Sequence, residues 1–143
     1  MLVLPRNSTD ADIFKAVRAF VELLAQDRYV EAYEMAHHEP EREWTPALMK
    51  SVVLGYGLVD EVFKFEDGTN PQVTSPKDVQ EPELEQRHEV TWLDKSPINF
   101  PSFVGYVHYD LPLNGEWSDL TLMFDILEAE GGLVLSLDNI HVL

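Results

Sequence analysis

From Phe103 to Ile126 apolar residues alternate on either side of Asn114-Gly115, and no other pattern in the chain constrains its fold as strongly. Period-two alternation marks a strand with one buried face. Asn-Gly supplies the two positive-φ residues that a type I′ hairpin turn requires. A hairpin closed there pairs Tyr109 with Leu120, Val107 with Leu122, Gly105 with Phe124 and Phe103 with Ile126, all on one face. The opposite face then sets His108 against Thr121, Asp110 against Asp119, Tyr106 against Met123 and Val104 against Asp125. A second turn at Glu130-Gly131-Gly132 adds Leu133, Leu135 and Leu137 to the apolar face.

Near the end the alternation changes phase. Leu133, Leu135 and Leu137 are odd-numbered, whereas Ile140 and Val142 are even. One inserted residue at Asp138-Asn139, a β-bulge, keeps Ile140 and Val142 in the core and turns His141 outward. An unbroken strand would bury Asn139 and His141 instead, each of which would need a polar partner. The bulge is the expected arrangement.

The N-terminal half reads as helical over about residues 9–57. Ile13, Phe14, Val17, Phe20, Val21 and Leu24 form a stripe on one helical face, and Thr9 with Asp12 has the spacing of a capping box. Asp27 is placed to cap a second helix with Tyr29, Ala32, Tyr33 and Ala36 on one side; Thr45-Pro46 opens a third. Strands are expected over about 58–143, starting with "LVDEVFKFE", which an irregular flap at about 66–85 separates from the four later runs. One domain covers residues 1–143.

The order of three helices, a flap and a long antiparallel meander resembles the cystatin-like α+β roll of the nuclear transport factor 2-like superfamily. "AFVELLAQDRYVEAYEMA", Ala19 to Ala36, is similar to the opening helix pair of many such domains. The resemblance implies helices packed on a curved antiparallel sheet of four to six strands. It also implies a choice of functions, because the superfamily includes isomerases and dehydratases, non-catalytic ligand binders and immunity proteins that neutralise toxins. Its enzymes carry acid/base groups on the sheet face that meets the helices. The register above places few there, which points away from catalysis.

Charge narrows the partners. Twenty-six acidic residues against 10 basic give a net charge of −16, and no Lys or Arg follows Lys95. Such a field repels nucleic acid and anionic membrane and speeds encounter with cationic partners. Without cysteine there is no disulfide, thiol nucleophile or thiolate metal site. The opening "MLVLPRNSTD" has no signal-peptide core and no segment has the length of a membrane span, so a cytoplasmic protein is expected. Phosphate-binding loops and nucleophile elbows are absent, and no cofactor is expected.

Two groups of residues are candidates for function. Tyr106, His108, Asp110, Trp117, Asp119, Met123 and Asp125 share the outer sheet face, a candidate surface for a basic protein or a second copy of the chain. His141 joins them if the bulge forms. Their spacing matches no metal motif. Tyr29, Tyr33, Trp44, Tyr56 and Trp92 could line a pocket for a small apolar ligand. The expected function is a non-enzymatic binding domain of the immunity type. The alternative is a small-molecule binder or isomerase/dehydratase-like enzyme with a cavity between helices and sheet.

Overall fold

Thr9 starts the first helix as its spacing to Asp12 predicts: its hydroxyl accepts from the Asp12 N–H, and the Asp12 carboxylate accepts from the Thr9 N–H. The computed structural model describes residues 1–81 and 88–143. Helix α1 (Asp10–Ala25) buries Ile13, Ala16, Val17, Phe20, Val21 and Leu24, the stripe seen in the sequence with Ala16 added and Phe14 only partly buried. Helix α3 (Pro46–Leu54) begins as expected, with the Thr45 hydroxyl accepting from the Leu48 N–H and proline in the first turn. Helix α2 (Tyr29–Met35) differs at its start. Asp27 does not cap it; this residue takes a left-handed conformation at φ 59° and its carboxylate pairs with Lys50 at 2.8 Å.

The strand expected at 58–66 does not form. Tyr56, Gly57 and Asp60 all have positive φ, which bends the chain too often for a ladder. The rings of Tyr56, Phe63 and Phe65 gather there instead, at 4.9 to 6.0 Å between centroids. Over the expected flap, residues 66–81 are tied to the sheet, whereas 82–85 lie outside the described residues. Asn114 makes that tie: its Oδ1 accepts from the Gln72 N–H, and its Nδ2 donates to Thr69 Oγ1 and the Asn70 carbonyl. Val73 is buried beside Leu113.

Among the described residues four strands, β1 (His88–Trp92), β2 (Phe103–Leu113), β3 (Glu116–Ala129) and β4 (Gly132–Val142), make one antiparallel sheet in chain order. With the three helices this is an α+β fold. The core lies between them: Phe20 meets Phe124 edge to face at 5.0 Å, among Val107, Tyr109, Leu122, Ile126 and Leu137. Both glycine turns form where the sequence places them, with Asn114, Gly115 and Gly131 at positive φ.

The β2–β3 register corrects the expected one. Pairs next to the turn are as predicted, Leu113 with Glu116 and Pro112 with Trp117, but Asp110 then pairs with Thr121 and Tyr109 with Leu122. The ladder slips by two residues between Asp110 and Pro112, where the Pro112 carbonyl faces away from β3 and accepts from the Thr74 N–H at 3.0 Å. Ser118 fills in, its hydroxyl donating to the Leu111 carbonyl at 2.7 Å and accepting from the Leu120 N–H. An even slip leaves the residues from Asp110 back to Gly105 on their own faces, and a second shift before Gly105 sets Phe103 against Leu127 instead of Ile126. The even slip also separates the expected Asp110–Asp119 pair.

The β4 bulge forms where the phase change located it. Met123 pairs with Asn139 and Phe124 with Leu137, leaving Asp138 as the extra residue. Ile140 is buried and His141 lies opposite Thr121, but Val142, expected in the core, is 39% exposed at the end of the strand. The outer edge of β4 is covered: Leu4 and Leu133 exchange backbone bonds at 2.8 Å, and His37 bridges Leu135 and Leu137.

Candidate binding face

The sheet face turned away from the helices assembles most of the polar residues that the alternation had grouped. Across it run two rows, Glu89–His108–Met123–Asn139 and Thr91–Tyr106–Asp125–Ser136. The rings of Tyr106 and His108 stand 5.2 Å apart. Asp110 accepts from Thr121 Oγ1 at 2.8 Å, so its expected conflict with Asp119 is gone. Asp119 instead accepts from the Tyr56 hydroxyl at 2.5 Å, at the end of the sheet next to α3. That phenol is pushed up to about 12, first by burial and then by the carboxylate it serves.

Two residues of the group are placed differently from expectation. Met123 is 6% exposed and contributes little apolar surface. Trp117 lies on the helix-facing side, edge-on to His88 at 5.0 Å, beside the irregular stretch of the ladder between Asp110 and Pro112.

Asp125 is the electrostatic centre of the face. It is half-buried and has no hydrogen bond or ion pair among the described residues. Burial, followed by the Asp138 carboxylate, pushes it up to about 6; Arg42 pulls the other way, and Glu39 adds to the rise. Arg42 is already committed to Asp138 at 2.7 Å. Among the described residues no three His, Asp or Glu side chains come together to hold a metal.

The five aromatic residues expected to line one pocket are dispersed. Tyr33 stacks on His38 at 3.8 Å, Trp44 donates to the Asp138 carbonyl, and Trp92 donates to Asp10 at 2.6 Å. Tyr56 belongs to the phenylalanine cluster. Tyr29 borders a cleft of the described residues, an open one of about 730 Å³ between the ends of α1 and α3 and the 68–74 segment, with Lys50 across from it. Each ring follows the neighbour its own element meets.

Sequence reasoning missed His88. It is 5% exposed, stacked on Tyr109 at 3.8 Å, and faces α1 through Phe14. Its parity with Val90 and Trp92 placed it on the helix-facing side. Its partner Tyr109 was hidden by the long β1–β2 connection, which carries no turn signal that sets register. Neither the 730 Å³ cleft nor the one of about 570 Å³ beside Trp117 is lined by His88.

A family model described as a domain of unknown function, DUF7668, matches residues 21–143, from within α1 to the last residue of the chain. The chain belongs to the DUF7668 family. No curated protein and no solved structure matches it. In this DUF7668 domain no helix among the described residues is long and apolar enough to cross a membrane.

Proposed function

We propose that the chain is a non-enzymatic acidic binding domain, built as a roll of the nuclear transport factor 2-like kind, that holds a basic protein partner against the outer face of its sheet. One observation carries this. The four strands contain Glu89, Asp110, Glu116, Asp119, Asp125, Glu128 and Asp138 but no lysine or arginine. A sheet of that composition attracts cations and repels other anions over a distance comparable to the Debye length. Asp125 supports the same conclusion. A half-buried carboxylate without a partner is an unfavourable arrangement that an incoming guanidinium or ammonium group relieves. Tyr106, the cross-strand partner of Asp125, adds an aromatic ring of the kind that attracts a cation. An inhibitor of the immunity type, meeting a basic toxin, would use such a face.

The test is to recover the partner at low ionic strength and titrate it, purified, against the Asp110→Asn and Asp125→Asn variants. A partner rich in Lys and Arg, bound more weakly as salt rises and about tenfold more weakly by the double variant, is expected. A neutral or acidic partner, or affinity indifferent to both substitutions, would refute the proposal.

The stacked His88–Tyr109 pair favours a second reading, an isomerase/dehydratase-like or small-molecule site, because it puts an acid/base-capable imidazole on the helix-facing side. The first reading is preferred since His88 lines neither cleft.

A further inference from the structure

The two edges of the sheet are treated in opposite ways. β4 is guarded by Leu4, by His37 and by its bulge at Asp138. β1 pairs with β2 without a register shift and contains no lysine, proline or glycine, the residues that proteins use to blunt an edge. Its hydrogen-bonding phase follows from one contact: the Leu93 N–H donates to the Val104 carbonyl at 2.9 Å. In an antiparallel ladder bonded and non-bonded pairs alternate, so Thr91 and Glu89 also bond inward to β2. Val90 and Trp92 turn their N–H and C=O groups to the open side, and no described residue bonds them there.

We infer that the open edge of β1 receives an extended, cationic segment of the partner protein as a fifth strand. The inference rests on the proposed acidic binding function and identifies how the partner would be read. Backbone bonds to Val90 and Trp92 supply affinity that any sequence could use. Side chains supply the choice. On the outer face an added strand lies beside Glu89, which is exposed and accepts from Thr91 Oγ1 at 2.9 Å; on the inner face it lies beside Val90 and Trp92. The fitting segment therefore alternates basic with apolar residues. Charge selects it, because an acidic strand would lie beside Glu89 on strands that carry no lysine or arginine of their own.

The probe is an end-blocked peptide of alternating lysine and valine, with a glutamate–valine peptide as control, followed by amide hydrogen exchange and chemical shifts on the whole chain. In the free monomer the Val90 and Trp92 amides should exchange fast while those of Glu89 and Thr91 are slow. The lysine peptide should slow the first two and the glutamate peptide should not bind. Val90→Pro removes one outward donor and no ladder bond, so it should weaken binding about tenfold with the fold intact. Glu89→Lys, which tests the same edge without touching the backbone, should weaken it at least as much. Slow exchange at Val90 and Trp92 in the free monomer would overturn the inference, as would a lysine peptide that does not bind. Loss of binding in Asp125→Asn but not in Val90→Pro or Glu89→Lys would also overturn it, and would leave the acidic-face proposal standing. Protection at Val90 and Trp92 that grows with protein concentration alone would assign the edge to a second copy and overturn the choice of occupant.

Discussion

At the scale of single residues, Ile140 and His141 are neighbours in sequence with opposite fates. Ile140 is buried between sheet and helices, and truncating it to alanine should cost about 2–5 kcal/mol. The His141 ring has a buried Nδ1 with no partner among the described residues, so removing it deletes an unsatisfied group along with some packing. His141→Ala should therefore fall within roughly ±0.5 kcal/mol. Denaturant melts of both variants measure this directly; the reverse order would mean that β4 runs without its bulge. Asp125 gives a second expectation, in pH. Its folded value of about 6 lies above that of a free carboxyl, so the native state binds the extra proton between about pH 4 and 6. Stability from this group is then highest at the acid end and falls as pH rises through 6. Because the carboxyl is only half-buried, screening cuts the penalty, and Asp125→Asn should add roughly 1 kcal/mol at pH 7. The same substitution should flatten the pH profile between 4 and 6; an unchanged profile would show that burial does not disfavour this charge.

At the scale of elements, the cover over β4 depends on Gly132. A Cβ there would stand 2.0 Å from the Leu4 carbonyl oxygen, at a φ of 156° that side chains rarely adopt. Gly132→Ala should push Leu4 off the edge, cost roughly 2–4 kcal/mol and speed amide exchange at Leu133, which is checked by a melt together with exchange rates. Some elements were legible in the sequence and others were not, for identifiable reasons. The β4 bulge was readable because adding one residue reverses the parity of everything after it. The slip at Ser118 was silent because two residues restore parity, so the alternation looks the same in either register. Residues 58–66 alternate well enough to suggest a strand, but Tyr56 at φ 50° gives no sign of itself, since bulky residues seldom adopt that conformation. The outer face was legible as a group, except for Trp117, which turns to His88 beside the irregular stretch of the ladder. The aromatic pocket was not, because helical spacing shows which residues share a face and not which neighbours each will meet.

At the scale of the whole molecule, a net charge of −16 on 143 residues works against compactness. Moderate salt should raise Tm, by roughly 2–4 °C, as like charges are screened. It should at the same time loosen a basic partner. Calorimetry and partner titration across one salt series test the pair; a Tm that falls with salt would mean that favourable ion pairs outweigh the repulsion.

The unequal edges of the sheet also set a stoichiometry. A sheet open on both sides can recruit strand after strand and run on into a fibre. With β4 occupied by the chain's own Leu4 and His37, an added strand would find one open edge on this chain, which would give the molecule a valence of one. Whatever strand docks on β1 brings its own far edge, and only that edge decides whether assembly goes further. Two copies joined at β1 would form a closed pair, and a foreign segment would be capped at one per chain. Either way, the chain would close the sheet on its own side.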